Sequence, residues 1–94
     1  SWPTTGVYDN TGATGEETST LAAGATGSSF VASVTVAQYL KIVAYGTEKI
    51  RYMGMLTAAG GYIQSNVIGN SVTAYWDGTQ WTITSMTGAW TYDS

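Results

Sequence analysis

The side chains best suited to moving a proton are six carboxylates, Asp9, Glu16, Glu17, Glu48, Asp77 and Asp93, because the sequence contains neither histidine nor cysteine. Glycoside cleavage needs two such groups held roughly 5 to 10 Å apart across a cleft, and nothing in the spacing pairs these. Glu16 and Glu17 are neighbours that point to opposite sides of a strand, Glu48 falls in a turn, and Asp77 precedes Gly78 in a hairpin signal. Triad, thiol-nucleophile, zinc-finger and disulfide chemistries are excluded with His and Cys. No Asp-x-Asp-x-Asp-Gly run offers calcium ligands, and the Gly-rich pieces lack the Lys-Ser/Thr and helix of a phosphate loop. The residues predict no catalytic centre, no metal and no cofactor.

Recognition chemistry is better supplied, with four Trp, seven Tyr and one Phe. Aromatic rings stack on the apolar faces of sugars while their N–H and O–H groups reach hydroxyls. Strand register decides which rings are offered. A hairpin through Gly46-Thr47-Glu48 with a three-residue loop puts Leu40, Ile42, Ala44, Ile50 and Tyr52 on one face. Tyr39, Lys41, Val43, Tyr45, Lys49, Arg51 and Met53 then take the other. That register gathers every cation of the protein beside two Tyr, either as a surface for an anionic glycan or partner or as an ordinary solvated sheet face.

A second hairpin turns at Asp77-Gly78. With a loop of even length, Val72, Ala74, Trp76, Trp81 and Ile83 share one face, while Ser71, Thr73, Tyr75, Thr82 and Thr84 share the other. Trp76 and Trp81 are candidates for core or subunit interface; Tyr75, on the hydroxyl-rich face, joins Tyr39, Lys41, Tyr45, Lys49 and Arg51 as a glycan or partner candidate.

The elements that must position these residues read as strands. Turn signals recur every eight to twelve residues from Phe30 onward, with strands expected at Phe30–Val36, Tyr39–Tyr45, Lys49–Met55, Tyr62–Ile68, Ser71–Trp76, Gln80–Met86 and Ala89–Tyr92, and one short strand within Glu16–Ala22. Gly-Ala-Thr-Gly occurs at Gly12–Gly15 and again at Gly24–Gly27, which marks turns. No segment shows helical spacing with caps. The sequence, 94 residues long, predicts one all-β domain, a small antiparallel β-sandwich or β-prism, and its Ser1-Trp2-Pro3 start reads as a piece of a longer chain.

A net charge of -3 and a pI near 4.3 oppose nucleic-acid binding, and no run of apolar residues is long enough for membrane insertion. A domain this small without disulfides gains stability by oligomerising.

The motifs Thr20-Leu21-Ala22-Ala23-Gly24-Ala25-Thr26-Gly27-Ser28-Ser29-Phe30, Gly46-Thr47-Glu48-Lys49-Ile50, Gly69-Asn70-Ser71-Val72-Thr73, Trp76-Asp77-Gly78-Thr79-Gln80-Trp81 and Gly88-Ala89-Trp90-Thr91 occur in this order. Together they resemble the β domains near the C-termini of bacteriophage tailspikes and tail fibres, over residues 10 to 92. Similar segments often carry Pro after the Leu, where this chain has Ala22. The resemblance implies a homotrimeric, extracellular virion protein without catalysis of its own, any depolymerase activity belonging elsewhere in the parent chain. It also implies contact with host-surface polysaccharide, lipopolysaccharide or capsule, and places Trp90 with Trp76 and Trp81 in the core or trimer interface. Two other classes compete: a monomeric carbohydrate-binding module of a polysaccharide-degrading enzyme, and a structural cap that binds nothing.

Overall fold

Runs in which apolar and hydroxyl side chains alternate become strands wherever one face can reach a shared core. The computed structural model describes residues 6–52 and 54–92, so Met53, Asp93 and the Ser1-Trp2-Pro3 start lie outside the described residues. Its strands are β1 Gly6–Asp9, β2 Glu17–Thr20, β3 Ser29–Ser33, β4 Leu40–Val43, β5 Ile50–Tyr52, β6 Met55–Leu56, β7 Tyr62–Ser65, β8 Ser71–Trp76, β9 Trp81–Thr87 and β10 Thr91–Tyr92. Among the described residues there is no helix. The chain is all-β, as its sequence predicts, although β1 falls in a Gly- and Thr-rich stretch that gave no strand signal.

The strands form two sheets, one of six in the order β1-β3-β8-β9-β5-β6 and one of four in the order β10-β7-β4-β2. Both are mixed, which corrects the antiparallel expectation: β1 pairs β3, β2 pairs β4 and β5 pairs β9 in parallel. The cause is visible in the path. The chain runs from the larger sheet to the smaller in β1 to β2, returns, and repeats the journey in β3 to β4, so Gly6 lies beside Phe30 and Glu17 beside Leu40. These two laps set like-directed strands side by side. The two Gly-Ala-Thr-Gly tetrapeptides fall in the connections before and after β2, as turns.

A second correction concerns β4 and β5, expected as a hairpin. They belong to different sheets, because the chain at Gly46 crosses from one sheet to the other instead of folding back. Face assignment survives the change: Leu40, Ile42, Ala44, Ile50 and Tyr52 are all buried, since either path points these residues inward. They join Phe30, Ala32, Val72, Ala74 and Trp81 from the larger sheet and Ile63 from the smaller in one hydrophobic cluster. Each large side chain so buried contributes about 1.5 to 3 kcal/mol.

The β8–β9 hairpin forms as expected, Trp76 opposite Trp81 across Asp77–Gln80. Thr73 then faces Ser85 while Ala74 faces Ile83, so Thr84 is an extra residue, a bulge. The bulge restores Met86 to the inner side opposite Val72, where it packs on the core.

Strand directions sort the connections into two groups. Those after β1, β3, β5, β7 and β9 lie at one end of the molecule, where Val34 N–H donates to Asn70 O at 2.9 Å and Gly69 N–H to Val34 O at 2.9 Å. Those after β2, β4, β6 and β8 meet at the other, tied by Trp81 N–H to Lys49 O at 3.0 Å and Gly60 N–H to Glu48 O at 2.8 Å.

Candidate functional site

The turn Asp77–Gln80 closes the β8–β9 hairpin around one carboxylate. Asp77 Oδ1 accepts from the backbone N–H groups of Thr79 at 2.9 Å and Gln80 at 3.0 Å. Its Oδ2 accepts from Gln80 Nε2 at 3.1 Å and from the Thr82 hydroxyl at 2.9 Å. The Gln80 and Thr79 N–H groups, followed by the Thr82 hydroxyl, hold the carboxyl below its ordinary value, and the positive charge of Arg51 adds to the effect.

Arg51 is close because β5 lies beside β9. Register across four pairings places Ser29, Tyr75, Thr82, Arg51 and Leu56 side by side in one row. Paired residues point to the same side of a sheet, and Phe30, Ala74, Trp81 and Ile50 on the inner side are buried, so this row lies on the outer face. Tyr75 is 42 % exposed and Leu56 37 %. An exposed ring thus stands between hydroxyls, with a guanidinium and a carboxylate close by. Such a row can stack on a flat apolar surface and hydrogen-bond at its edges.

The six candidate binding residues do not form one patch. Arg51 and Tyr75 share the row, and Lys49, exposed, precedes Arg51 on the same side of the molecule. Tyr39, Lys41 and Tyr45 belong to β4 and its ends, in the other sheet. There the Lys41 ammonium sits 4.1 Å from the centre of the Tyr62 ring, a cation–π contact on the outer side of the smaller sheet. The expected gathering of all three cations on one face is therefore corrected. It followed from the β4–β5 hairpin, and without that hairpin Lys41 parts from Arg51.

Trp81 and Trp90 are buried within the single chain. Trp81 is met edge-on by Phe30 at 5.3 Å and by Trp76 at 5.7 Å between ring centroids. The indole N–H groups of Trp81 and Trp90 are buried without an acceptor, a cost these rings offset by the area they bury. Trp90 is fixed through its backbone, whose N–H donates to the Tyr52 hydroxyl at 3.1 Å. Trp76, half-buried, lies flat against Gly24, where a Cβ would overlap its ring.

Sequence reasoning missed two residues that order the connections. Asn10 is fully buried. Its Oδ1 accepts from Thr35 N–H at 2.8 Å and Val36 N–H at 3.1 Å, and its Nδ2 donates to Val36 O at 3.1 Å and Gln38 O at 3.0 Å. Asn70 donates from Nδ2 to Ser65 Oγ at 2.9 Å and Ala89 O at 3.2 Å. In sequence each stands beside glycine or threonine and reads as an ordinary turn residue. Only the path of distant segments reveals the clamp.

Among the described residues there is no enclosed cavity and no cluster of acidic side chains able to hold a metal ion. A ligand on this surface would lie across an open face. Compared with protein-family models, with curated protein sequences and with solved structures, the chain matches none.

Proposed function

We propose that this chain is a β domain of a bacteriophage tailspike or tail fibre, without catalysis of its own, that assembles as a homotrimer on the extracellular virion and contacts host-surface polysaccharide. In this reading the two sheets are the layers of a sandwich, and the outer face of the six-stranded layer is the receptor surface. The observation that carries it is the row Ser29, Tyr75, Thr82, Arg51 and Leu56, an exposed ring flanked by hydroxyls on a rigid sheet. Sugars offer the complement, an apolar ring face edged with hydroxyls. The position of Arg51 beside Asp77 balances charge locally, which favours hydroxyl recognition over attraction to anionic polymers.

The test joins two measurements. Light scattering on the eluting chain should give a mass near three times 9.9 kDa, and a glycan array probed with labelled protein should light up on bacterial surface polysaccharides. Tyr75→Ala should weaken that binding roughly tenfold, the scale of one lost stacking contact, while Tyr75→Phe keeps it. A monomer that binds glycans would make the chain a carbohydrate-binding module, and a silent array would leave a structural cap.

A further inference from the structure

We propose that the receptor surface is three rows deep and takes an internal stretch of an uncharged, linear polysaccharide, several sugar rings at a time. The proposal rests on the reading above, that the outer face of the six-stranded sheet meets polysaccharide, and adds the class of polymer. Beyond the row that contains Tyr75, register aligns Val31, Thr73 and Ser85 in a second row and Ser33, Ser71 and Thr87 in a third. Between these two rows Ala32, Val72 and Met86 pack on the core, so both rows share the outer face. On β3, β8 and β9 the three rows make nine positions: eight carry a hydroxyl, one is Val31, and none is charged.

Charge reaches this grid from the flanking strands, at two opposite corners. Asp9 on β1 lies beside Ser33, and Arg51 on β5 lies beside Thr82, with Lys49 and Asp77 near the guanidinium. An acidic polymer laid across the grid would meet no cation at its centre. The outer face of the smaller sheet differs, because its row Thr18, Lys41, Gln64 and Thr91 holds a cation in the middle. Hydroxyls both donate and accept, so a grid of them can pair with sugar hydroxyls in either sense and needs no charge to do so.

Shape selects the internal stretch. Strands about 4.8 Å apart and like-facing residues about 6.7 Å apart give the nine positions a footprint of about 10 by 13 Å, and the first row runs on across β5 and β6 to about 19 Å. That footprint exceeds one sugar ring. Among the described residues there is no cavity, so no wall meets a chain terminus and the face does not distinguish an end from a middle. An open face favours length instead. Each added ring brings further hydroxyl contacts, and side chains as short as Ser and Thr lose little freedom in making them.

The experiment applies the 94-residue chain to an array of bacterial polysaccharides sorted into polymers with uncharged and with acidic repeats. Binding to uncharged polymers should persist in molar salt, where charge is screened; binding confined to acidic polymers would overturn the proposal and leave the polysaccharide reading standing. Size fractions of a bound polymer should gain at least tenfold in affinity from one repeat to several, and equal affinity at every length would overturn it too. Thr73→Lys, in the second row, should weaken binding at least tenfold, and the milder Thr73→Val/Ser85→Ala should do so in part, with circular dichroism confirming the fold of both. Lys41→Gln, on the other sheet, should leave binding unchanged. Second-row variants that bind like wild type while Tyr75→Ala fails would reduce the site to its first row and overturn the proposal alone. A silent array would overturn the polysaccharide reading together with it.

Discussion

At one end of the molecule Asn10 and Asn70 hydrogen-bond to backbone that the sheets leave unpaired; at the other, Glu48 and Asp77 do so. The demands differ. Asn10 must satisfy two N–H groups and two carbonyls while fully buried, which requires a neutral side chain that both donates and accepts. Glu48 accepts from one N–H, that of Gly24, through both oxygens at 3.2 and 3.0 Å, and Asp77 meets two backbone N–H groups in the open. Where only donors need a partner and water is near, a carboxylate serves. Amides thus hold the buried joints and acids the exposed ones.

Exchanging the two chemistries is the sharpest test. Asn10→Asp keeps an acceptor for Thr35 and Val36 but turns a buried carboxylate towards the carbonyls of Val36 and Gln38. We expect a loss of about 3 kcal/mol or more in urea unfolding at neutral pH. The buried acid's folded pKa would lie above its unfolded value, so the loss should shrink as the pH falls and the group protonates. A loss below about 1 kcal/mol would break the comparison.

The reverse exchange, Glu48→Gln, retains an acceptor for Gly24 and should cost about 1 kcal/mol or less in thermal unfolding. A larger cost would mean that the charge itself holds this end.

The smallest effect is expected at Asp77. Its folded pKa lies below its ordinary 3.8, so its contribution is fully present above that value and is lost as the pH falls through the lower folded one. Asp77→Asn should therefore melt slightly below wild type at neutral pH and together with it in strong acid. Melting curves that stay equally separated at both pH values would assign the turn's stability to shape, not charge.

How much of this could be seen in the sequence follows from distance along the chain. The β8–β9 hairpin was legible because its turn residues and both faces lie within one local stretch, and Asp77-Gly78 announces it. The β4–β5 hairpin was misread because Gly46-Thr47-Glu48 marks a reversal without saying into which sheet the chain goes. Period-two alternation fixed the inward faces of Leu40, Ile42, Ile50 and Tyr52 either way, but could not bring Arg51 beside Thr82. Parallel partners such as Gly6 and Phe30 leave no local trace. The candidate site shows the same division: Tyr75 on a hydroxyl-rich face was readable, whereas Arg51 and Leu56 join it only through pairing between distant strands.

The order of strands in the larger sheet bears on how a newly made chain folds. Its two central strands, β8 and β9, come late in the sequence, while β1, β3, β5 and β6, the flanks, come early. A growing chain therefore leaves the ribosome with four flanking strands and no centre to pair them. The β8–β9 hairpin can close in microseconds once Thr87 is out, but β3 and β5 must still be captured across long loops, as in slowly folding β proteins. Assembly of this sheet thus waits for β8 and β9, the last of its strands to be made.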